Sequence, residues 1–245
     1  MKTIGLIGGM SWESSAEYYR LINQETKRRL GGHHNALSIM VTVDFAEVER
    51  LQHANQWEPL GAMLADAARQ VERGGADLVV LCTNTMHKLA DFITNAVSIP
   101  LLHIADAVAE SVKRSGHRRV GLLGTRFTME QSFYADRMRR GFGIDTIVPE
   151  AAERQTIHDI IYDELCHGVI RPESRQMFQA IIGGLARAGA EGVVLGCTEI
   201  GLLISQSDSS LPVYDSTAIH ARAAVEFALH GLCAPKVAAD PQGQD

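Results

Sequence analysis

Short runs of β-branched residues and leucine alternate along this chain with longer stretches in which apolar side chains recur every three or four positions, the pattern of parallel strands joined by crossover helices. Val79-Val80-Leu81 and Val193-Val194-Leu195 read as the clearest buried strands. Upstream of the first, Leu60, Met63, Leu64, Ala67, Ala68 and Val71 fall at i, i+3, i+4, i+7, i+8 and i+11, one face of an amphipathic helix. A last helix is expected from Ala218 to Leu229, returning onto the first half.

The halves of the chain repeat this pattern in order. RGGADLVVLCTNT at 73–85 lies over RAGAEGVVLGCTE at 187–199 at an offset of 114, and the preceding helical face maps onto Met177, Phe178, Ile181, Ile182 and Leu185. KTIGLIGG at 2–9 matches RRVGLLGT at 118–125 at offset 116, and Ile-Pro-Leu at 99–101 matches Leu-Pro-Val at 211–213 at offset 112. The expected fold is α/β: two pseudo-symmetric halves, each a short parallel sheet with helices in a flavodoxin-like arrangement, closing on a cleft. The expected division is 1–112 and 113–213, with a C-terminal helix over 214–232 joining the first half and a disordered tail at 234–245. The alternative is one continuous doubly wound sheet.

Composition narrows the function. The balance of 23 basic and 29 acidic residues gives −6, which argues against a nucleic-acid or anionic-membrane partner. No apolar run reaches the roughly 18 residues of a membrane span, and the N-terminal run Ile4 to Met10 lacks a cleavage site, so a cytoplasmic protein is expected. The cysteines at 82, 166, 197 and 233 form no CxxC pair and read as free thiols. No metal is expected, since His33-His34 has no third ligand at a supporting spacing.

In open parallel sheets, ligands collect outside the carboxyl ends of the strands. Gly8-Gly9-Met10-Ser11, Cys82-Thr83-Asn84-Thr85, Gly124-Thr125-Arg126 and Gly196-Cys197-Thr198-Glu199 fit that position, and their hydroxyls, thiols and small residues suit a small anion such as a carboxylate. The repeat pairs Thr83 with Cys197 and Cys82 with Gly196. Cys166 and Cys233 have no such context and read as structural or incidental. His87 reads either as an acid or base or as a residue turned into its helix.

GLIGGMSWESSAEYY, CTNTMH and GCTEI, in these relative positions, resemble the aspartate/glutamate racemase family, including its broad-specificity members. The resemblance implies two α/β domains, a homodimer, a small amino-acid substrate and no cofactor. It also implies two cysteines on opposite faces of the substrate Cα, one removing a proton and the other returning one. The family's C-N-T-x-H, laid on Asn84, Thr85 and His87, puts its cysteine at Thr83, as the internal repeat does independently. The two acid/base positions therefore fall on Thr83 and Cys197.

Magnitudes separate their roles. Ionising a thiol of pKa ~8.5 at pH 7 costs about 2 kcal/mol, whereas an alkoxide, with a pKa near ~15.7, costs about 12 kcal/mol. Cys197 is expected to be the base, with a pKa lowered by helix N–H groups or a nearby cation. Thr83, or a water it holds, is expected to supply the opposite proton. The family's second-half thiol faces the proton of the L-enantiomer, so the resemblance implies an L-biased enzyme for which D-amino acids are poor substrates. Cys82 is expected to point away, as neighbours on a strand do.

By resemblance, Asn84, Thr85, Thr125 and Thr198 bind the substrate, Met10 walls the site, and Glu199 orients either the ammonium or the thiol. Arg50, with Gln52 nearby, matches the family's distal-carboxylate arginine, and the family's lysine falls at Cys166. Aspartate, glutamate and neutral polar side chains such as that of homoserine all stay open. Of the five lysines only Lys88 adjoins a motif, which disfavours a pyridoxal mechanism. The rival readings are a single-cysteine decarboxylase or cis-trans isomerase of the same superfamily, and a non-catalytic amino-acid-binding protein.

Overall fold

The aliphatic runs become strands because a parallel sheet covered by helices buries them on both faces. The computed structural model describes residues 1–231; Cys233 and the 234–245 tail lie outside the described residues. The first half runs β1 (Ile4–Gly8), α1 (Trp12–Leu30), β2 (Ser38–Thr42), α2 (Phe45–His53), α3 (Trp57–Arg73), β3 (Leu78–Leu81), α4 (Ala90–Thr94), β4 (Leu101–Leu102) and α5 (Ile104–Arg114). The second runs β5 (Arg119–Gly124), α6 (Arg126–Glu130), α7 (Ser132–Phe142), β6 (Asp145–Ile147), α8 (Ala151–Asp163), α9 (Pro172–Arg187), β7 (Gly192–Gly196), α10 (Ile200–Leu203), β8 (Val213–Asp215) and α11 (Ser216–His230).

Two separate four-stranded sheets form, ordered β2-β1-β3-β4 and β6-β5-β7-β8, with every pair parallel. This is the duplicated α/β fold and not one continuous sheet. Every residue of β1, β3 and β7 is buried, while the edge strands β2 and β6 are partly exposed. In each sheet the chain leaves the two central strands towards opposite edges, which opens a crevice at their carboxyl ends.

The α3 stripe behaves as its period dictates: Leu60, Leu64, Ala67, Ala68 and Val71 are buried against Ile7, Val79 and Leu81. Each fully buried aliphatic of leucine size contributes about 1.5–3 kcal/mol. In α9 the equivalent Phe178, Ile181, Ile182 and Leu185 are buried too. Met177, the repeat partner of partly buried Met63, is 48% exposed. It sits at the margin of the stripe, where sequence periodicity alone does not settle burial.

The last helix of each half covers the other half's sheet. Ile104, Val108 and Val112 of α5 pack with Val120, Leu122 and Val194 of the second sheet. Ala221, Ala224 and Val225 of α11 pack with Ile4, Leu6 and Val80 of the first. A backbone bond from Lys2 N–H to the Ala228 carbonyl, at 2.8 Å, ties β1's leading residues to α11. A division of the chain at residue 112 therefore runs through α5, a helix whose side chains belong to the second core. Two exchanged helices, rather than a linker, hold the halves together on either side of the cleft.

Candidate active site

The loops after β1, β3, β5 and β7 converge in that cleft. Gly9 makes the first turn possible: its φ is +90°, and a Cβ there would fall on the Val43 backbone. Gly196 ends β7 where a Cβ would lie 2.9 Å from the Leu123 carbonyl oxygen, so the second loop also needs a residue without a side chain. The next residues, Met10 and Cys197, then line the cleft together with Thr83, Asn84, Thr85, Thr125, Thr198 and Glu199. The cavity is narrow, about 30 Å³, room for about two waters. An amino acid needs a wider cleft than this; outside the lining, His53 of the first half stacks on Phe127 of the second at 6.4 Å between ring centroids, and Trp57 meets the same ring edge-on at 5.7 Å.

Thr83 and Cys197, the residues paired by the repeat, both line this cavity. Their surroundings differ. The Thr83 carbonyl accepts a 2.7 Å hydrogen bond from His87 Nδ1, and His87 Nε2 accepts from the Ile104 N–H at 3.2 Å. These two partners fix the tautomer. Burial pushes His87 down to about 3, so it stays neutral and holds the Thr83 loop instead of exchanging protons.

Cys197 donates its thiol hydrogen to Glu199 Oε2 at 3.0 Å, and Thr198 Oγ1 donates to the same oxygen at 2.6 Å. Ser11 and Ser14, from the first half, donate to Oε1 at 2.8 and 2.7 Å. Four donors thus converge on the two oxygens of the Glu199 carboxylate, and Ser14 Oγ is also in short contact with Thr198 Oγ1. Burial raises the Cys197 pKa well above that of a free thiol, and Glu199 and Cys166 raise it further. The expected lowering is therefore corrected. No cation stands beside the sulfur to lower it: among the described residues lining the cleft, Glu199 is the one charged side chain.

Three threonine hydroxyls meet across the cleft, Thr85 Oγ1 lying 3.1 Å from Thr125 Oγ1 and 3.2 Å from Thr128 Oγ1. Asn84 Nδ2 donates to Ser216 Oγ at 3.0 Å, and Ser216 donates onward to the Leu195 carbonyl at 2.6 Å. That chain fixes the amide orientation and leaves Asn84 Oδ1 buried without a partner, as is Gln52 Oε1. The cleft thus offers unpaired acceptors beside a group of hydroxyl donors.

Arg50 is placed elsewhere. It forks onto Glu47 at 2.9 and 2.7 Å on the exposed side of α2 and does not line the cavity, whereas Gln52 does. Residues two apart on a helix point nearly opposite ways, so in this structure Gln52 faces the cavity and Arg50 does not. Cys82 turns into the first core, its thiol 3.9 Å from the Val80 carbonyl. Cys166, read from sequence as incidental, lines the cleft with Tyr162, and that reading is corrected: the turn after α8 packs against α10, the helix that follows the Cys197 loop. Lys88 lies 3.9 Å over the Trp57 ring and donates to Gln131 Oε1 at 2.7 Å, away from the cavity lining. Sequence reasoning misses Tyr162, Thr128 and Ser14, and it places Ser11 on the first glycine loop without giving it a role. Only the serine-rich run after the first glycine loop offered a local signal.

Fold and cleft together define a duplicated α/β protein whose ligand site is built from loops of both halves. The chain belongs to the Asp/Glu/hydantoin racemase family, which matches residues 7–224. A Yersinia pestis protein of the Asp/Glu racemase type is 50% identical, covering 94% of this chain and 100% of that one, with a TM-score of 0.87. An aspartate racemase homologue from Pyrococcus horikoshii OT3 is 35% identical over 94% of this chain and 100% of its own, with a TM-score of 0.82. The broad-specificity amino-acid racemase RacX of Bacillus subtilis is 26% identical over 167 residues, 66% of this chain and 69% of RacX. Among the described residues no helix is long and apolar enough to cross a membrane.

Proposed function

We propose that this protein is a cofactor-independent amino-acid racemase in which Cys197 is the base for the L-enantiomer and Thr83, with a water, is the acid on the opposite face. The observation that carries this reading is the pairing of Thr83 and Cys197 on equivalent loops of one cleft. In the empty site the thiol is protonated. Substrate brings an ammonium whose positive charge offsets Glu199, and the thiol then loses its proton to water. The thiolate takes the proton from the L-substrate Cα as that C–H bond breaks. The Thr83 hydroxyl delivers its hydrogen to the other face of Cα while taking one from the water that received the thiol proton, so that neither a free alkoxide nor a hydroxide is left and the released proton is consumed.

Asn84 Oδ1 and Gln52 Oε1 are the acceptors for the ammonium, and the Thr85, Thr125 and Thr128 hydroxyls stabilise charge developing on the α-carboxylate. Met10 and Thr198 complete the walls. A Schiff-base route would need a lysine at the cleft, and Lys88 is held on Trp57 and Gln131 instead. The substrate class is a short polar L-amino acid, aspartate, glutamate or a neutral analogue such as homoserine. A dicarboxylate would draw Arg50 away from Glu47, whereas a neutral side chain needs only Gln52. The protein is proposed to work in the cytoplasm as a homodimer.

L and D enantiomers have equal free energy in solution, so kcat/KM for inversion is the same in both directions. The L-bias is therefore expressed as exchange at Cα without inversion. Proton NMR in D₂O over a panel of L- and D-amino acids tests this: L-substrate should exchange faster than D. Equal exchange rates for the two enantiomers, or full activity in Cys197→Ala, would overturn the assignment. Ligand-induced stabilisation with no exchange would instead show a binding protein.

A further inference from the structure

We propose that Ser11 and Ser14 are positioning residues for proton transfer: donating from the first half to Oε1 of Glu199, they leave Oε2 for the Cys197 thiol and tie its basicity to cleft closure. This rests on the reading of Cys197 as the base. The serines stand at the start of α1, 188 and 185 residues from Glu199 in the chain. Ser11 is also the helix N-cap, accepting from the Ser14 N–H at 3.3 Å. Both serines and Glu199 are buried, so their hydroxyls have little access to water as an alternative partner.

A carboxylate next to a thiol opposes ionisation of that thiol, and the opposition grows as more negative charge stays on the oxygen facing it. Hydroxyl donors on the far oxygen draw charge away from Oε2 and stop the carboxylate from rotating. When the cleft opens, α1 and the Glu199 loop separate, these donors are lost, and the thiol is held more firmly in its protonated form. Closure over substrate restores them. The reactive sulfur is thereby kept quiet while the site is open to solvent.

Two other titratable side chains face Cys197. Tyr162 on α8 and Cys166 on the following turn are both raised by burial and stay neutral. Glu13 and Glu49 act on Cys166 from farther out. Glu199 is the charged partner that the serines control.

The test is the pH profile of Cα–H exchange of the L-substrate in D₂O, measured on the full chain. In Ser14→Ala the ascending limb of kcat/KM should move up by about half a pH unit or more, and farther in the Ser11→Ala/Ser14→Ala double variant. Ser14→Thr, which keeps the hydroxyl, should restore the wild-type limb. Glu199→Gln, which removes the charge, should move it down. Tm measurements identify variants that have lost the fold. Should Ser14→Ala not fold, Ser11→Ala removes the other Oε1 donor and is read in the same way. A limb that stays in place or falls in the serine variants while the rate drops overturns the proposal. Exchange that survives Cys197→Ala overturns the assignment of the base instead, so the two failures are distinguishable.

Discussion

The loop carrying Thr83 and the loop carrying Cys197 follow equivalent central strands of equivalent sheets, and both face one cleft. Beneath the first lies His87, a neutral imidazole tied to the Thr83 carbonyl, with His103 tilted against it at 4.5 Å and His220 edge-on at 5.7 Å between ring centroids. Beside the second lies Glu199, a carboxylate on which four donors converge, one of them the thiol. Duplication preserved the backbone while the supports diverged. One side of the cleft is held by histidines that burial keeps neutral, and the other by a carboxylate that adds to burial in opposing ionisation of the thiol. An acid/base pair made from a hydroxyl and a thiol needs that asymmetry, because only the thiol can be ionised at a tolerable cost.

The largest expected effect strikes the ionisable side. Cys197→Ala should lower Cα exchange of L-substrate by about 10²–10⁴-fold, the usual contribution of a positioned acid or base. A loss below tenfold, measured by NMR in D₂O, would mean that the two loops do not divide the work in this way.

Acid should act through the Thr83 side. His87 is held down to about 3, His220 to about 4, and His103 well below its ordinary value, in each case chiefly by burial. The unfolded chain binds protons at these residues below about pH 6.5 and the folded protein does not. Their contribution is thus fully present above that pH and is lost as pH falls towards about 4, each histidine adding a slope of up to about 1.4 kcal/mol per pH unit. Urea unfolding at several pH values should show it, and a flat midpoint between pH 7 and 5 would contradict it.

His87→Ala leaves the Thr83 carbonyl and the Ile104 N–H without their partner, at about 1–3 kcal/mol for each stranded group. The urea midpoint should fall accordingly, and the exchange of any D-substrate should fall with it as the Thr83 loop loosens. If exchange were abolished with stability unchanged, His87 would be acting chemically.

A smaller gain comes from making the loops alike. Thr83→Cys should raise D-substrate exchange about tenfold or more by putting an ionisable group on that face. The smallest effect is expected outside the cleft. Arg50→Ala removes an exposed, solvent-screened pair with Glu47 of little consequence for stability, and should leave turnover of a neutral substrate within about twofold. A large loss confined to aspartate and glutamate would show that Arg50 swings in for dicarboxylates.

The aliphatic strands, the amphipathic faces of α3 and α9 and the correspondence of Thr83 with Cys197 were legible in the chain. Each depends on local periodicity or on a repeat, and duplicated α/β units keep strand ends and their loops in register. Arg50 and Gln52 show the limit: proximity in sequence suggested a shared role, yet the helix sends them to opposite sides. Cys166 shows it from the other direction, a residue with no local signature brought to the cleft by the return of a distant turn.

Sequence by itself determined the α/β class, the duplication and the loops that carry the chemistry, because hydrophobic period and repeated motifs are written along the chain. Tertiary structure alone decided that α5 and α11 exchange partners, that Ser11 and Ser14 reach Glu199 from the opposite half, and that burial beside a carboxylate raises the Cys197 pKa. Those outcomes depend on contacts between residues far apart in the chain and on how much water is excluded between them, and neither is encoded in any one segment.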